Sequence, residues 1–197
     1  MEIDKLQNDE IKMPRPRLYR WQTLWEIVQT VFMIIAVYAL VELATPRFYV
    51  EGRSMQPNFY DGQRLIVSRV NYLFGNPHRG DIVVFQVPSK PESDPPLIKR
   101  VIGLPGETVT IRDTLVYVNG VQLDEPYIKE PCDKFHCGDN TWELGPDEYF
   151  VMGDNRNNSN DSRRFGPISH EDIIGEALIR YWPPSDWGIV AQVGFPR

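Results

Sequence analysis

The chain has 197 residues, of which 42% are hydrophobic and 24% charged, and a formal net charge of −6, the make-up of one globular domain with an appendage. That acidic balance, with no basic face in view, argues against nucleic acid as a partner. Seventeen prolines and fourteen glycines, spread along the chain, point to many short strands and turns rather than a helical bundle.

Residues 1–24 are polar, show neither helix nor strand period, and read as a tail. Lys12, Arg15, Arg17 and Arg20 cluster just ahead of an apolar run. Its uninterrupted part, Val31 to Val41, falls short of the ~20 residues a transmembrane helix needs. Residues 25–44 supply the length, with Glu26 and Glu42 near the ends, where the interface solvates them, and Trp21 and Trp25 at headgroup level. A cleaved secretory signal would end in small residues, and Glu42-Leu43-Ala44-Thr45 followed by Pro46 is a poor cleavage site. A buried helix of a soluble domain is the other alternative, but this one is hydrophobic on nearly every face. A single membrane anchor fits best. The basic cluster precedes it, so the N-terminus is expected in the cytoplasm and residues 45–197 outside.

That ectodomain, roughly 150 residues, is long enough for one substantial core. Short apolar runs with turn signals between them predict strands at Arg64–Ser68, Asp81–Val87 and Leu97–Gly103, then at Thr108–Ile111 and Leu115–Val118. Asn119-Gly120 is a hairpin turn. Tyr149–Met152 and Ala177–Trp182 complete the set, and Ser169 with Asp172 caps a short helical turn. The expected fold class is mainly β with coiled strands. Residues 90–96 form a proline-rich polar insert, and residues 125–145 a longer one that holds Cys132 and Cys137. A disulfide is the leading reading for these cysteines in an oxidising compartment, with free thiols or a metal site using His136 as alternatives. Trp182, Trp187 and Phe195 are expected in core packing, with membrane contact as the alternative.

Three histidines, His78, His136 and His170, sit beside turn residues, and no Gly-x-Ser-x-Gly elbow is present, so nothing supports a Ser-His-Asp triad. The other acyl-transfer solution pairs serine with a neutral lysine, which requires a desolvated amine. Lys99 lies within Leu97-Ile98-Lys99-Arg100-Val101-Ile102, where charge is costly and Arg100 disfavours a second cation. Ser54 lies in Gly52-Arg53-Ser54-Met55-Gln56-Pro57, shortly beyond the anchor; Gly52 permits close backbone approach and Pro57 stiffens the turn. Each taken singly is an ordinary strand lysine or turn serine. The third segment, Gly153 to Gly166, packs Asp, Asn, Arg and Ser between apolar runs. It fails as a calcium loop because Arg156 and Phe165 fall at ligand positions. Its sequons at Asn157 and Asn160 are what so Asn/Ser-rich a stretch gives by chance.

Together, Ser54-Met55-Gln56-Pro57, Lys99 through Glu107, and Gly153-Asp154-Asn155-Arg156 through Ser159, Asp161, Ser162, Arg163 and Gly166 resemble type I signal peptidases in order and spacing, with Arg79–Phe85 similar to an intervening box. The resemblance implies the coiled antiparallel β-sheet ectodomain of that family on a single N-terminal transmembrane helix, in the bacterial plasma membrane. It implies Ser54 as nucleophile and Lys99 as general base, with Ser159 hydrogen-bonding the lysine amine. Asp161 and Arg163 would form a supporting ion pair, Asp154, Arg156 and Arg100 would brace the same wall, and Met55 and Pro57 would adjoin the substrate. The implied partners are signal peptides of secreted preproteins and the lipid bilayer. The implied state is a monomer, with no nucleic acid and no metal or organic cofactor. Gly52 stands where some family members carry a serine whose hydroxyl helps the oxyanion hole, and Asn58 stands where threonine is usual. A Ser/Lys self-cleaving regulator shares the chemistry but would carry a DNA-binding module, and a non-catalytic anchored scaffold would leave Ser54 unreactive.

Overall fold

The computed structural model describes residues 19–88, 90–91, 93–191 and 193. The chain divides into two units, residues 1–42 and 43–197. The first is the helix α1, Tyr19–Ala44, which carries on into the second unit by two residues. It starts earlier than the expected Trp25, so Tyr19 to Leu24, read as tail, are helical. Every side chain from Trp21 to Val41 is exposed, and the helix is long and apolar enough to cross a membrane. Lys12, Arg15 and Arg17 lie outside the described residues.

Among its described residues, the second unit has twelve strands and two short α-helices. In chain order these are β1 (Arg47–Tyr49), β2 (Arg64–Ser68), α2 (Val70–Phe74), β3 (Ile82–Phe85), β4 (Leu97–Gly103), β5 (Thr108–Arg112), β6 (Leu115–Val118), β7 (Val121–Gln122) and β8 (Asn140–Glu143). Then follow β9 (Glu148–Met152), α3 (Ser162–Phe165), β10 (Ile168–Ser169), β11 (Ile173–Trp182) and β12 (Gly188–Ile189). The strands form a large sheet in the order β1-β2-β11-β3-β4-β9-β10, with β12 beside β11, and a smaller one in the order β7-β6-β5-β8. All pairs are antiparallel, and register shifts in β11 and between β4 and β9 bend the large sheet, as bulges do. The fold is therefore mainly β with a coiled antiparallel sheet.

The local sequence explains the edges of several elements. Asn119 and Gly120 take φ of 51° and 80°, the pair of positive values that a tight hairpin between β6 and β7 demands. Ser169 and Asp172 form the expected capping box. β4 is buried along nearly its whole length because it lies between β3 and β9 with clusters packed on both faces. The insert at 125–145 holds β8, which pairs with β5 through Thr108↔Glu143 to Ile111↔Asn140. Trp182 and Trp187 are 48% and 75% exposed, so the core-packing expectation fails for both; Trp182 is the last residue of β11, opposite Arg64 of β2, and Trp187 follows the turn that starts at Pro183-Pro184. Phe195 lies outside the described residues.

Candidate active site

Ser54 sits in a turn between β1 and β2 that two neighbours pin to the core. Met55 and Phe59 are buried with Val50, Leu65 and Val67, and this plug leaves the Ser54 side chain at the edge of a cleft. Gly52 is required for its φ of +80° and not for close approach, since a Cβ there would meet nothing within 4 Å. Its amide donates to Asp61 Oδ1 at 2.7 Å.

Lys99, in β4, is 3% exposed, and its Nζ lies 2.9 Å from Ser54 Oγ. The amine also donates to Ile98 O at 2.7 Å. Burial lowers its pKa from 10.5 to about 8, against the opposing pull of Asp161 and Asp154. A desolvated amine with weakened hold on its proton therefore sits at hydrogen-bonding distance from a serine hydroxyl. Both residues line a cleft of about 430 Å³, bounded by Phe48, Tyr49 and Glu51 on one side and by Ser93 to Ile98 on the other. Met55 and Pro57 do not line it. Met55 is committed to the core, and Pro57 is exposed beyond the turn.

The segment from Gly153 to Gly166 forms the wall behind this pair. Gly153 allows the wall to approach the serine turn: a Cβ there would overlap Ser159 Oγ and fall 2.5 Å from Ser54 O. The Asn155 amide donates to Ser54 O at 2.9 Å and its Nδ2 to Arg53 O at 3.0 Å. Asp154 accepts two bonds from the neighbouring strand residue Arg100, Nε to Oδ1 at 2.8 Å and Nη2 to Oδ2 at 2.7 Å, with both side chains buried. Asn58 Nδ2 completes the clamp, donating to Asp154 Oδ2 and to Tyr127 O, each at 2.8 Å.

Asp161 caps α3, accepts the Gly153 amide at 3.0 Å, and pairs with Arg163 at 2.8 Å. Burial alone would raise its pKa; the Arg163 bonds and charge overcome that and hold the carboxyl below its usual range. Arg156 pairs with Glu125 of the insert, and its Nε donates to Gly153 O at 3.0 Å within the wall. The expected bond from Ser159 to Lys99 is not made. The Ser159 hydroxyl is buried and makes no hydrogen bond among the described residues, although it lies near enough to Asp161 to help keep that carboxylate ionised.

The 125–145 insert is part of this scaffold. Cys132 and Cys137 are joined in a disulfide, and Arg163 Nη1 rests on it, 3.0 Å from Cys137 Sγ and 3.2 Å from His136 O. His136 pairs with Asp133 at 2.8 Å, away from the sulfurs. The Tyr127 ring lies 4.2 Å from the Arg100 guanidinium. Sequence reasoning missed Asn58, Asn155, Glu125 and Tyr127. Only Asn58 carried a signal, as an amide with two donors where a threonine was expected.

A family model described as "Signal peptidase, peptidase S26" matches residues 24–182. A probable signal peptidase I-1 of Synechocystis sp. is 37% identical, over 96% of this chain and 95% of its own length. The signal peptidase I of Leptolyngbya laminosa is 41% identical over 71% of this chain and 70% of its own. A solved signal peptidase I from Enterococcus faecalis, 35% identical, covers 52% of this chain and 97% of its own with a TM-score of 0.45. On that breadth of match, this chain is a member of the signal peptidase family, peptidase S26.

Proposed function

We propose that Ser54 and Lys99 carry out the cleavage of signal peptides from preproteins, Ser54 as nucleophile and Lys99 as general base. The observation that carries this reading is the 2.9 Å separation of Lys99 Nζ from Ser54 Oγ on an amine whose pKa burial has lowered to about 8. Neutral Lys99 takes the hydroxyl proton as Oγ attacks the scissile carbonyl. The tetrahedral intermediate collapses as the lysine ammonium passes that proton to the departing amine, which leaves an acyl-Ser54 ester. A water molecule, deprotonated by the regenerated amine, attacks the ester; the proton returns to Ser54 and the signal peptide leaves with a free carboxylate. The Ser54 amide makes no hydrogen bond among the described residues and is the donor to the developing oxyanion. Ser159 offers its buried hydroxyl to the lysine ammonium once the serine oxygen is esterified. Asp161, Arg163, Asp154, Arg100 and Arg156 hold the wall.

The substrate enters as an extended strand. β9 pairs with β4 only from Arg100 onward, so the Leu97–Lys99 edge faces the cleft and offers its backbone to a peptide. Phe48, Val50, Leu65, Val84 and Ile98 give that part of the cleft an apolar lining suited to small side chains before the cut. Helix α1 anchors the enzyme in the plasma membrane, with the N-terminus cytoplasmic on the positive-inside rule and residues 45–197 on the far side. The dyad and all its braces come from one chain, which makes a monomer sufficient.

Incubating the full chain with a synthetic preprotein, and locating the cut by mass analysis, tests this reading. Ser54→Ala and Lys99→Ala should each abolish the product. Near-normal cleavage by either variant would sink it.

A further inference from the structure

Helix α2 carries its apolar stripe on the outside. Val70, Leu73 and Phe74 stand at i, i+3 and i+4, one face of a helix, and are 41%, 71% and 90% exposed. A short helix in a soluble domain turns such a face inward. Here polar locks prevent it. Tyr72 is buried and its hydroxyl donates to Asp81 Oδ2 at 2.9 Å. Asn71 donates to Glu176 Oε2 at 2.5 Å and accepts from Ser68 Oγ at 2.9 Å. These bonds fix the rotation of α2 about its axis, so the outward stripe is a property of the fold and not of loose side chains.

The position of α2 identifies what covers that stripe. Its N-cap residue, Arg69, donates its amide to the carbonyl of Ala44 at 3.0 Å, and Ala44 is the last residue of α1. Val67 does the same to Pro46 O at 3.1 Å. The start of α2 is thus one hydrogen bond away from the point where the apolar helix ends. A five-residue helix is only ~7.5 Å long, so the stripe is short enough to fit within the 5–10 Å layer that an interfacial helix occupies at the headgroup boundary.

We propose that α2 is a second membrane contact, with Val70, Leu73 and Phe74 seated in the interfacial layer of the bilayer beside the exit of α1. The inference rests on α1 being the anchor. A single crossing leaves an ectodomain free to swing about one connection. A second contact, rigidly tied to β2 and β11 through Ser68 and Glu176, fixes the height of the sheet that carries Lys99.

The test uses the full chain with its disulfide intact, reconstituted into phosphatidylcholine–phosphatidylglycerol vesicles. Single cysteines at Phe74→Cys and, separately, Val37→Cys carry an environment-sensitive fluorophore. Nitroxide lipids quench it from a position near the headgroup or deep in the tail. The Phe74 label should be quenched by the shallow nitroxide and shielded from aqueous iodide, and the Val37 label by the deep one. A Val37 label quenched in lipid beside a Phe74 label open to iodide overturns the inference and leaves the anchor intact. If the Phe74 label is shielded from iodide but untouched by nitroxide, protein covers the stripe and the inference fails. Quenching at neither position overturns the anchor and the inference together. As a second readout, the double variant Leu73→Ser, Phe74→Ser should raise KM several-fold for a vesicle-inserted preprotein and leave kcat/KM for a short soluble peptide unchanged. An unaltered KM on vesicles counts against α2.

Discussion

The backbone amide of Asn155 donates to the carbonyl oxygen of Ser54 at 2.9 Å, across a glycine that leaves no side chain between the two segments. This bond sets where Ser54, the proposed nucleophile, stands relative to the wall, and Gly153 is the residue that permits it. A methyl group at Gly153 would meet Ser54 O at 2.5 Å and displace the Ser159 hydroxyl. Both obstacles belong to the serine turn or the wall, so the turn must shift. Displacements of this size in a catalytic pair cost on the order of 100-fold in rate. Gly153→Ala is therefore expected to lose about that much kcat on a preprotein while its β-sheet circular dichroism persists. A rate within a few-fold of the parent would show that the contact is dispensable.

Asn58 ties three parts of the domain with one amino group: its own turn, Asp154 of the wall and the Tyr127 carbonyl of the insert. Asn58→Ala leaves both acceptors short of a donor in a half-buried site. The expected cost is ~1–3 kcal/mol of stability, read from urea denaturation, together with a lower kcat at unchanged KM. Threonine can satisfy one of the two acceptors, so Asn58→Thr should recover part of the loss. Equal damage from alanine and threonine would assign Asn58 a purely steric role.

Lys99 links activity and stability through one proton. On the proposed mechanism only the neutral amine accepts the serine proton, so kcat/KM should climb tenfold per pH unit and level off near pH 8, where burial has moved the amine's pKa. The folded pKa lies below the ordinary 10.5, so from about pH 8 to 10.5 the unfolded chain binds more protons and stability rises with pH. Below pH 8 both states are charged and the burial penalty is fully present. Lys99→Met should therefore stabilise the fold at pH 7 by up to ~3 kcal/mol, with the gain shrinking toward pH 10. Denaturation curves at the two pH values measure it, and a gain independent of pH would contradict the assignment.

Ser159 keeps a buried hydroxyl that makes no hydrogen bond among the described residues, a state that costs stability. Ser159→Ala should leave the melting temperature unchanged or higher and lower kcat by about tenfold, the loss of one hydrogen bond to the charged lysine. A variant that melts lower and cuts at full speed would reverse both halves of the prediction.

Much of the fold is legible where apolar runs end on turn residues. β2, β4 and β6 begin and end where the sequence places them, because Gly, Pro and Asn residues punctuate each one. β8 is hidden, since Asn-Thr-Trp-Glu is short and polar and is a strand only by virtue of its pairing with β5. α2 is hidden for a different reason: five residues are too few to show a helical period. The proximity of Ser54 and Lys99 is legible through the family resemblance, not through either segment alone. Of the clamp made by Asn58, Asn155 and Tyr127 only Asn58 stands out in the sequence, against the usual threonine, because the clamp consists of single side chains meeting across the sheet. Arg156 illustrates the limit: its charge is visible in the sequence, but its partner Glu125 belongs to an insert that carries no strand pattern there.

The clamp joins residues far apart along the chain: 96 positions separate Asn58 from Asp154. A chain leaving the ribosome presents its serine and lysine well before the segment that aligns them. Until that segment arrives, the amine has neither its buried setting nor the wall, and an exposed lysine stays protonated at neutral pH. On the proposed dyad, Ser54 and Lys99 are therefore not aligned until the last third of the domain closes on them.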